Sequence, residues 1–222
     1  MNSKERLRKI SVMGMLCAVA FLAVYIGRIP LVSLPGLTLS YEPKDIIITL
    51  GGFIYGPIAA FIISAVVCFI EMITISSTGW VGFAMNLIAS AGFACTASYI
   101  YKKKHDVPGA IIGLVSGCVV ATTAMLLWNY ILTPVFMSVS RDIVVKLLIP
   151  TFLPFNLVKG GINMALLLAM YKPVMSALRG AKLLPAGTEP GRQGSGKFNV
   201  WVLLLATFIL TTCVLVAFFI LA

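Results

Sequence analysis

An all-α, polytopic membrane bundle is the fold class this sequence predicts, and three observations carry the prediction. Hydrophobic residues fill 60% of the 222 positions and charged residues 11%, whereas a soluble domain carries about 25% charge to cover its water-facing surface. Mean hydropathy is +1.04, and apolar runs long enough for a span of roughly 20 residues recur along the chain. Basic residues cluster at the ends of those runs: Lys4, Arg6, Arg8 and Lys9, then Lys102, Lys103 and Lys104, then Lys172, Arg179, Lys182, Arg192 and Lys197. The formal net charge of +10 is therefore read as cytoplasmic anchoring beside anionic headgroups. It argues against nucleic-acid binding, because no folded basic face is available to phosphates.

The first helix covers residues 10–27. Its basic start resembles a signal peptide, but no small-residue cleavage site follows and Arg28 and Pro30 come next, so a retained helix is expected. Residues 28–44 hold Pro30, Pro35, Gly36 and Pro43 and are expected to form an irregular loop, long enough to act as a lid. Residues 45–75 are apolar but interrupted by Gly51, Gly52, Gly56 and Pro57. With a cytoplasmic N-terminus, one crossing here would put Lys102–Lys104 outside, and two crossings put them inside with Lys172, Arg179 and Lys182. The segment therefore divides at Gly56–Pro57.

The first half of that segment, residues 45–55, reaches only about 16 Å against a hydrocarbon core of about 30 Å. So short a helix must be shielded by protein or line a cavity. Further helices are expected over residues 80–101, 108–133 and 146–178. Domain organisation follows: a six-helix membrane domain over 1–179, a cytoplasmic linker over 180–197, and an extra transmembrane helix over 198–222.

On this topology the costly residues gather toward the outer face. Glu71 is near the outer end of the third helix, Asn86 in the outer part of the fourth and Asn129 near the outer end of the fifth. Asn156, Lys159 and Asn163 follow at i, i+3 and i+7 on one face of the sixth. Polar groups at membrane depth face a protein interior or a watery cavity. Asn86 reads equally as an interhelical hydrogen bond, and Glu71 as a structural acid, with Lys159 as one available partner. Lys159 sits too deep for easy snorkelling and is read, with Asn129 and Asn156, as a ligand contact. Residues 37–41, Leu-Thr-Leu-Ser-Tyr, lie above this pocket.

Gly109, Gly113, Gly117 and Ala121 form a small-residue ladder for close helix packing, and Gly14 and Ala18 a similar pair on the first helix. Residues 191–198 nearly match a phosphate loop, but Phe198 stands where the magnesium-binding hydroxyl belongs and no strand precedes it, so a solvated linker is expected. His105 lies in a charged turn and is expected to be solvated. The five cysteines fall singly inside apolar runs, as small apolar fillers. No metal-ligand cluster, catalytic carboxylate pair or nucleophile with a base is apparent, so neither an enzyme nor a resident cofactor is expected.

Several segments together resemble the riboflavin-binding S component of energy-coupling factor (ECF) transporters. They are Tyr41-Glu42-Pro43-Lys44-Asp45, Gly51-Gly52-Phe53 with Gly56-Pro57, Trp128-Asn129-Tyr130, Pro154-Phe155-Asn156-Leu157-Val158-Lys159-Gly160 and Tyr171-Lys172-Pro173-Val174. The resemblance covers the first through sixth helices, about four-fifths of the chain, and the Pro-Phe-Asn-x-x-Lys-Gly segment is its most specific part. It implies a six-helix S-component fold in the plasma membrane and capture of riboflavin. Its implied partners are a transmembrane coupling protein and two ATPase subunits. It further implies ligand contacts from Asn129, Asn156 and Lys159 and from the first outer loop at Thr38, Leu39, Tyr41 and Glu42, with Asn163 lower on the same helical face. Gly14 and Ala18 would touch the coupling protein. Two other readings stay open: an S component for another vitamin, and a self-sufficient ion-driven carrier with Glu71 carrying the proton.

Overall fold

The computed structural model describes residues 3–34, 37–180 and 200–221. Lys182, Arg192, Lys197 and the whole near-phosphate-loop segment lie outside the described residues, as do Pro35 and Gly36. Helix α1 (Ser3–Gly27) leads into strands β1 (Ile29–Leu34) and β2 (Leu37–Tyr41), followed by α2 (Lys44–Tyr55), α3 (Pro57–Thr74), α4 (Gly79–Lys104) and α5 (Val107–Met137). Then come the short α6 (Arg141–Leu147), a π-helical turn (Leu148–Phe152), α7 (Leu153–Gly180) and α8 (Val200–Leu221). Among the described residues, five helical stretches are long and apolar enough to cross a membrane, which makes the chain a multi-pass membrane protein.

The expected irregular loop is instead an antiparallel hairpin, with Ile29 opposite Tyr41 and Leu34 opposite Leu37. Pro30 does not prevent pairing: it stands opposite Ser40, and the register shifts just after it, between Pro30 and Val32, an irregularity of the kind beside which an edge-strand proline is tolerated. Three helices also differ from expectation, the first by beginning at Ser3 instead of at residue 10. The fifth continues through Pro134 to Met137. The sixth is preceded by α6 and the π turn, which contains Pro150.

The division at Gly56–Pro57 is present as a break between α2 and α3. Gly56 adopts φ +90°, a conformation glycine reaches without steric cost, and Pro57 opens α3, where its missing N–H would have no partner in any case. Helix α2 has 12 residues, about 18 Å long, and is buried along nearly its whole length. Its glycines permit this. A Cβ on Gly51 would stand 2.6 Å from Ile63 Cδ1, and one on Gly52 would collide with Ser98.

Helices α4 and α5 pack through the predicted ladder. A Cβ on Gly113 would lie 2.7 Å from the Ala97 carbonyl oxygen, and one on Gly117 2.5 Å from that of Phe93. Asp106 caps α5, its carboxylate accepting from Gly109 N at 2.7 Å. At the end of the bundle away from the hairpin, Phe53 stacks on Tyr101 with centroids 4.2 Å apart, and Tyr171 meets Phe53 edge-on at 6.2 Å. The Tyr101 and Tyr171 hydroxyls bond to each other. His105 is half-buried, its ring against Tyr101 with centroids 5.6 Å apart, which corrects the solvated turn expected for it. All five cysteines are free thiols.

Candidate functional site

The hairpin delivers a charged segment to the start of α2. Tyr41 and Glu42 are buried at the end of β2, and Lys44 and Asp45 open the helix with 0% and 1% exposure. An ammonium removed from water is costly unless paired and hydrogen-bonded. Lys44 meets that condition twice: its Nζ lies 2.7 Å from Glu42 Oε2 and 2.5 Å from Glu71 Oε2 on α3. Asp45 accepts from Ser90 Oγ of α4 at 2.5 Å and from Asn163 Nδ2 of α7 at 3.2 Å. Asn163 in turn accepts from the Tyr41 hydroxyl at 3.0 Å, so β2, α2, α4 and α7 are joined through one amide and one carboxylate.

Lys159 is held differently. Its Nζ lies 3.7 Å from Asp45 Oδ2 and 3.9 Å from Glu42 Oε2, beyond hydrogen-bond length, and its side chain retains 12% exposure. Asn156, 9% exposed, lies on the same face of α7 and donates its Nδ2 to the Phe152 carbonyl in the π turn at 2.7 Å. Asn129 donates to Met125 O at 2.7 Å and accepts from Thr133 at 2.9 Å, both within α5. Along β2, Thr38 is exposed, Leu39 half-buried and Tyr41 buried. Tyr41, Glu42, Lys159 and Asn163 therefore meet in one network, whereas Asn129 bonds within α5 and Asn156 to the π turn, and no described hydrogen bond or ion pair brings them, Thr38 or Leu39 into it.

One expectation is corrected: Glu71 pairs with Lys44, not with Lys159. Asn86 of α4 makes a long interhelical hydrogen bond to the Glu71 carboxylate of α3, at 3.5 Å, in line with one of its two readings. Lys44 and Asp45 are the residues sequence reasoning passed over as functional side chains. Their signal was present: three charges within residues 42–45, directly before an apolar run, are as costly in a membrane as Lys159.

The electrostatics of Glu42 follow from its neighbours. Burial alone would raise its pKa, but the Lys44 ammonium, with Lys159 and Arg28 behind it, outweighs burial and holds it down to about 2. Tyr41 is raised above the ordinary phenol value by burial, with Asp45 adding to the effect. The carboxylates of Glu42, Asp45 and Glu71 are balanced by Lys44, Lys159 and Arg28, whose Nε lies 3.6 Å from Glu42. Such a site can hold a polar solute through amide, hydroxyl and ammonium groups. Among the described residues no group of three or more His, Cys, Asp or Glu side chains is arranged for a metal ion.

Comparison with known proteins agrees with this architecture. The model of the substrate-specific component of ECF transporters matches residues 8–171. The chain belongs to this family. It is thus the substrate-specific component of an ECF transporter and not an enzyme. Among relatives of this S component, riboflavin transporter RibU of Staphylococcus aureus is 29% identical over 186 residues, 81% of this chain and 96% of that one. Riboflavin transporter FmnP of Bacillus subtilis is 26% identical, over 70% of this chain and 85% of that one. Riboflavin transporter RibU of Streptococcus thermophilus is 26% identical, over 77% and 84%. A solved S component of a bacterial ECF transporter superposes with a TM-score of 0.65 at 28% identity, covering 78% of this chain and 99% of its own. About a fifth of this S component has no counterpart there, and the family match ends before α8.

Proposed function

We propose that this S component captures riboflavin at the hairpin end and passes it across the membrane with an ATPase-driven coupling module. The observation that carries the reading is Lys159: a nearly buried ammonium in an apolar bundle, beside Asn156 and out of hydrogen-bond reach of both nearby carboxylates. A cation so loosely held has donor capacity to offer a ligand. The substrate is inferred from three relatives, each a riboflavin transporter over most of its length.

A flavin suits these groups. Its flat ring requires an apolar slot with a few amide-type partners along the pyrimidine edge, and its ribityl hydroxyls require polar neighbours. Asn129, Asn156 and Lys159 are assigned to the ligand, Thr38, Leu39, Tyr41 and Glu42 to the hairpin side of the pocket, and Asn163 to its floor through Tyr41 and Asp45.

Orientation and docking belong to the same proposal. Lys4, Arg6, Arg8, Lys9, Lys102, Lys103, Lys104, Lys172 and Arg179 all fall at the end away from the hairpin, which supports a cytoplasmic N-terminus in the plasma membrane. Gly14 and Ala18 are exposed on α1, and a Cβ on Gly14 would meet nothing within 4 Å. That open stripe is assigned to the coupling protein, which with two ATPases would complete the transporter. Residues 1–179 are assigned to the binding unit, and residues 180–222, which include α8, are assigned as additions to it.

Purification after expression in riboflavin-containing medium tests the reading. The protein is expected to be yellow, with flavin fluorescence quenched, and to bind riboflavin stoichiometrically once stripped. Colourless protein that fails to bind riboflavin but binds another vitamin would overturn the substrate assignment.

A further inference from the structure

The geometry points to Lys44 as the positioning residue of the ligand site, one that leaves Lys159 available by taking up the charge of Glu42 and Glu71. The inference rests on the riboflavin reading above and extends it to a residue that does not itself touch the ligand. Lys44 and Lys159 share one acceptor, Glu42 Oε2, at 2.7 and 3.9 Å. The nearer lysine makes the hydrogen bond, and the farther one is left without. Lys44 is fully buried, whereas Lys159 keeps some exposure. One ammonium is thus committed to the protein and the other is held in reserve.

The charge count explains why Lys44 is needed. Three carboxylates converge, from the β2–α2 turn (Glu42), α2 (Asp45) and α3 (Glu71). Glu71 Oε1 has no hydrogen-bond partner among the described residues. The same carboxylate receives only Asn86 from α4, at 3.5 Å, besides Lys44. Glu71 therefore depends on Lys44 for compensation. Without Lys44 the three acids would face Lys159 from α7 and Arg28 from the hairpin base alone, with the Cys68 thiol of α3 also nearby. Coulomb attraction in a poorly solvated site is strong. It would draw Lys159 inward onto the acids and away from a ligand.

Charge and packing roles make different predictions. If charge is the reason, Lys44→Met weakens riboflavin binding by on the order of tenfold or more at neutral pH. The loss shrinks as pH falls, because protonating one carboxylate removes the excess negative charge. Adding Glu71→Gln restores balance, leaving two acids against Lys159 and Arg28, so K44M/E71Q recovers most of the affinity. Titration of detergent-purified wild type, K44M and K44M/E71Q across pH, with thermal unfolding in parallel, performs the test. If K44M does not fold, recovery of a folded, riboflavin-binding K44M/E71Q supports the same conclusion. A pH-independent loss with no rescue, a double variant that fails to fold, or K44M affinity equal to wild type would overturn the role of Lys44 alone. A wild-type protein that does not bind riboflavin would instead overturn the substrate reading and this inference with it.

Discussion

The two ends of the bundle are built on opposite principles. At the hairpin end, Glu42, Lys44, Asp45, Glu71 and Asn163 are buried and joined by ion pairs and hydrogen bonds. At the far end, Phe53, Tyr101 and Tyr171 close the core by ring packing, and the two tyrosine hydroxyls bond to each other. Aromatic packing gains from excluded water and shape. A charged network gains nothing over well-packed apolar residues of similar volume, so its presence in a membrane bundle is explained better by function than by stability. The short helix α2 links the two regimes, with Lys44 at one end and Phe53 near the other.

Substitutions at each end test whether the division is real. The largest effect is expected from Phe53→Ala, which empties the aromatic seal and should cost about 3–5 kcal/mol of stability. Thermal unfolding should show the loss, while the fraction that remains folded keeps wild-type riboflavin affinity. Reduced affinity in that fraction would mean that the ends are coupled. Next comes Lys159→Ala, expected to weaken riboflavin binding by about 1–3 kcal/mol, as for a lost charged hydrogen bond, with little change in unfolding temperature. Unchanged affinity in titration would remove Lys159 from the site.

A further effect concerns acid. Glu42 has its pKa lowered from 4.5 to about 2, so its ionised form stabilises the folded state. That contribution is complete above the unfolded value and declines as pH falls from about 4.5 toward about 2. Unfolding of the Glu42→Gln variant should accordingly vary less over this acidic window than that of the wild type. Equal acid sensitivity in the two proteins would show that Glu42 is not responsible.

The legibility of the molecule differs between its helices and its hairpin. The long helices were readable because a membrane span must satisfy its backbone internally and present an apolar surface, and both demands act on contiguous residues. The break at Gly56–Pro57 was readable because charge placement leaves one consistent topology and because glycine and proline have local meaning. The hairpin was not, since four Pro/Gly residues within 30–43 argue locally for a loop while strand pairing is decided across the turn. For the same reason the π turn before α7 and the continuation of α5 through Pro134 were not visible locally.

By itself, the sequence determined that this is a multi-pass helical membrane protein, that α2 and α3 divide at Gly56–Pro57, and that Asn156, Lys159 and Asn163 share one helical face. Each of these follows from spacing and transfer free energy along a single segment. Only the tertiary structure decided the pairing of charges: Glu71 with Lys44, Asp45 with Ser90 and Asn163, and Lys159 left at 3.7 and 3.9 Å from its nearest acids. Pairing between residues as far apart as 45 and 163 depends on how α2 is buried among its neighbours. No periodicity within one helix carries that information.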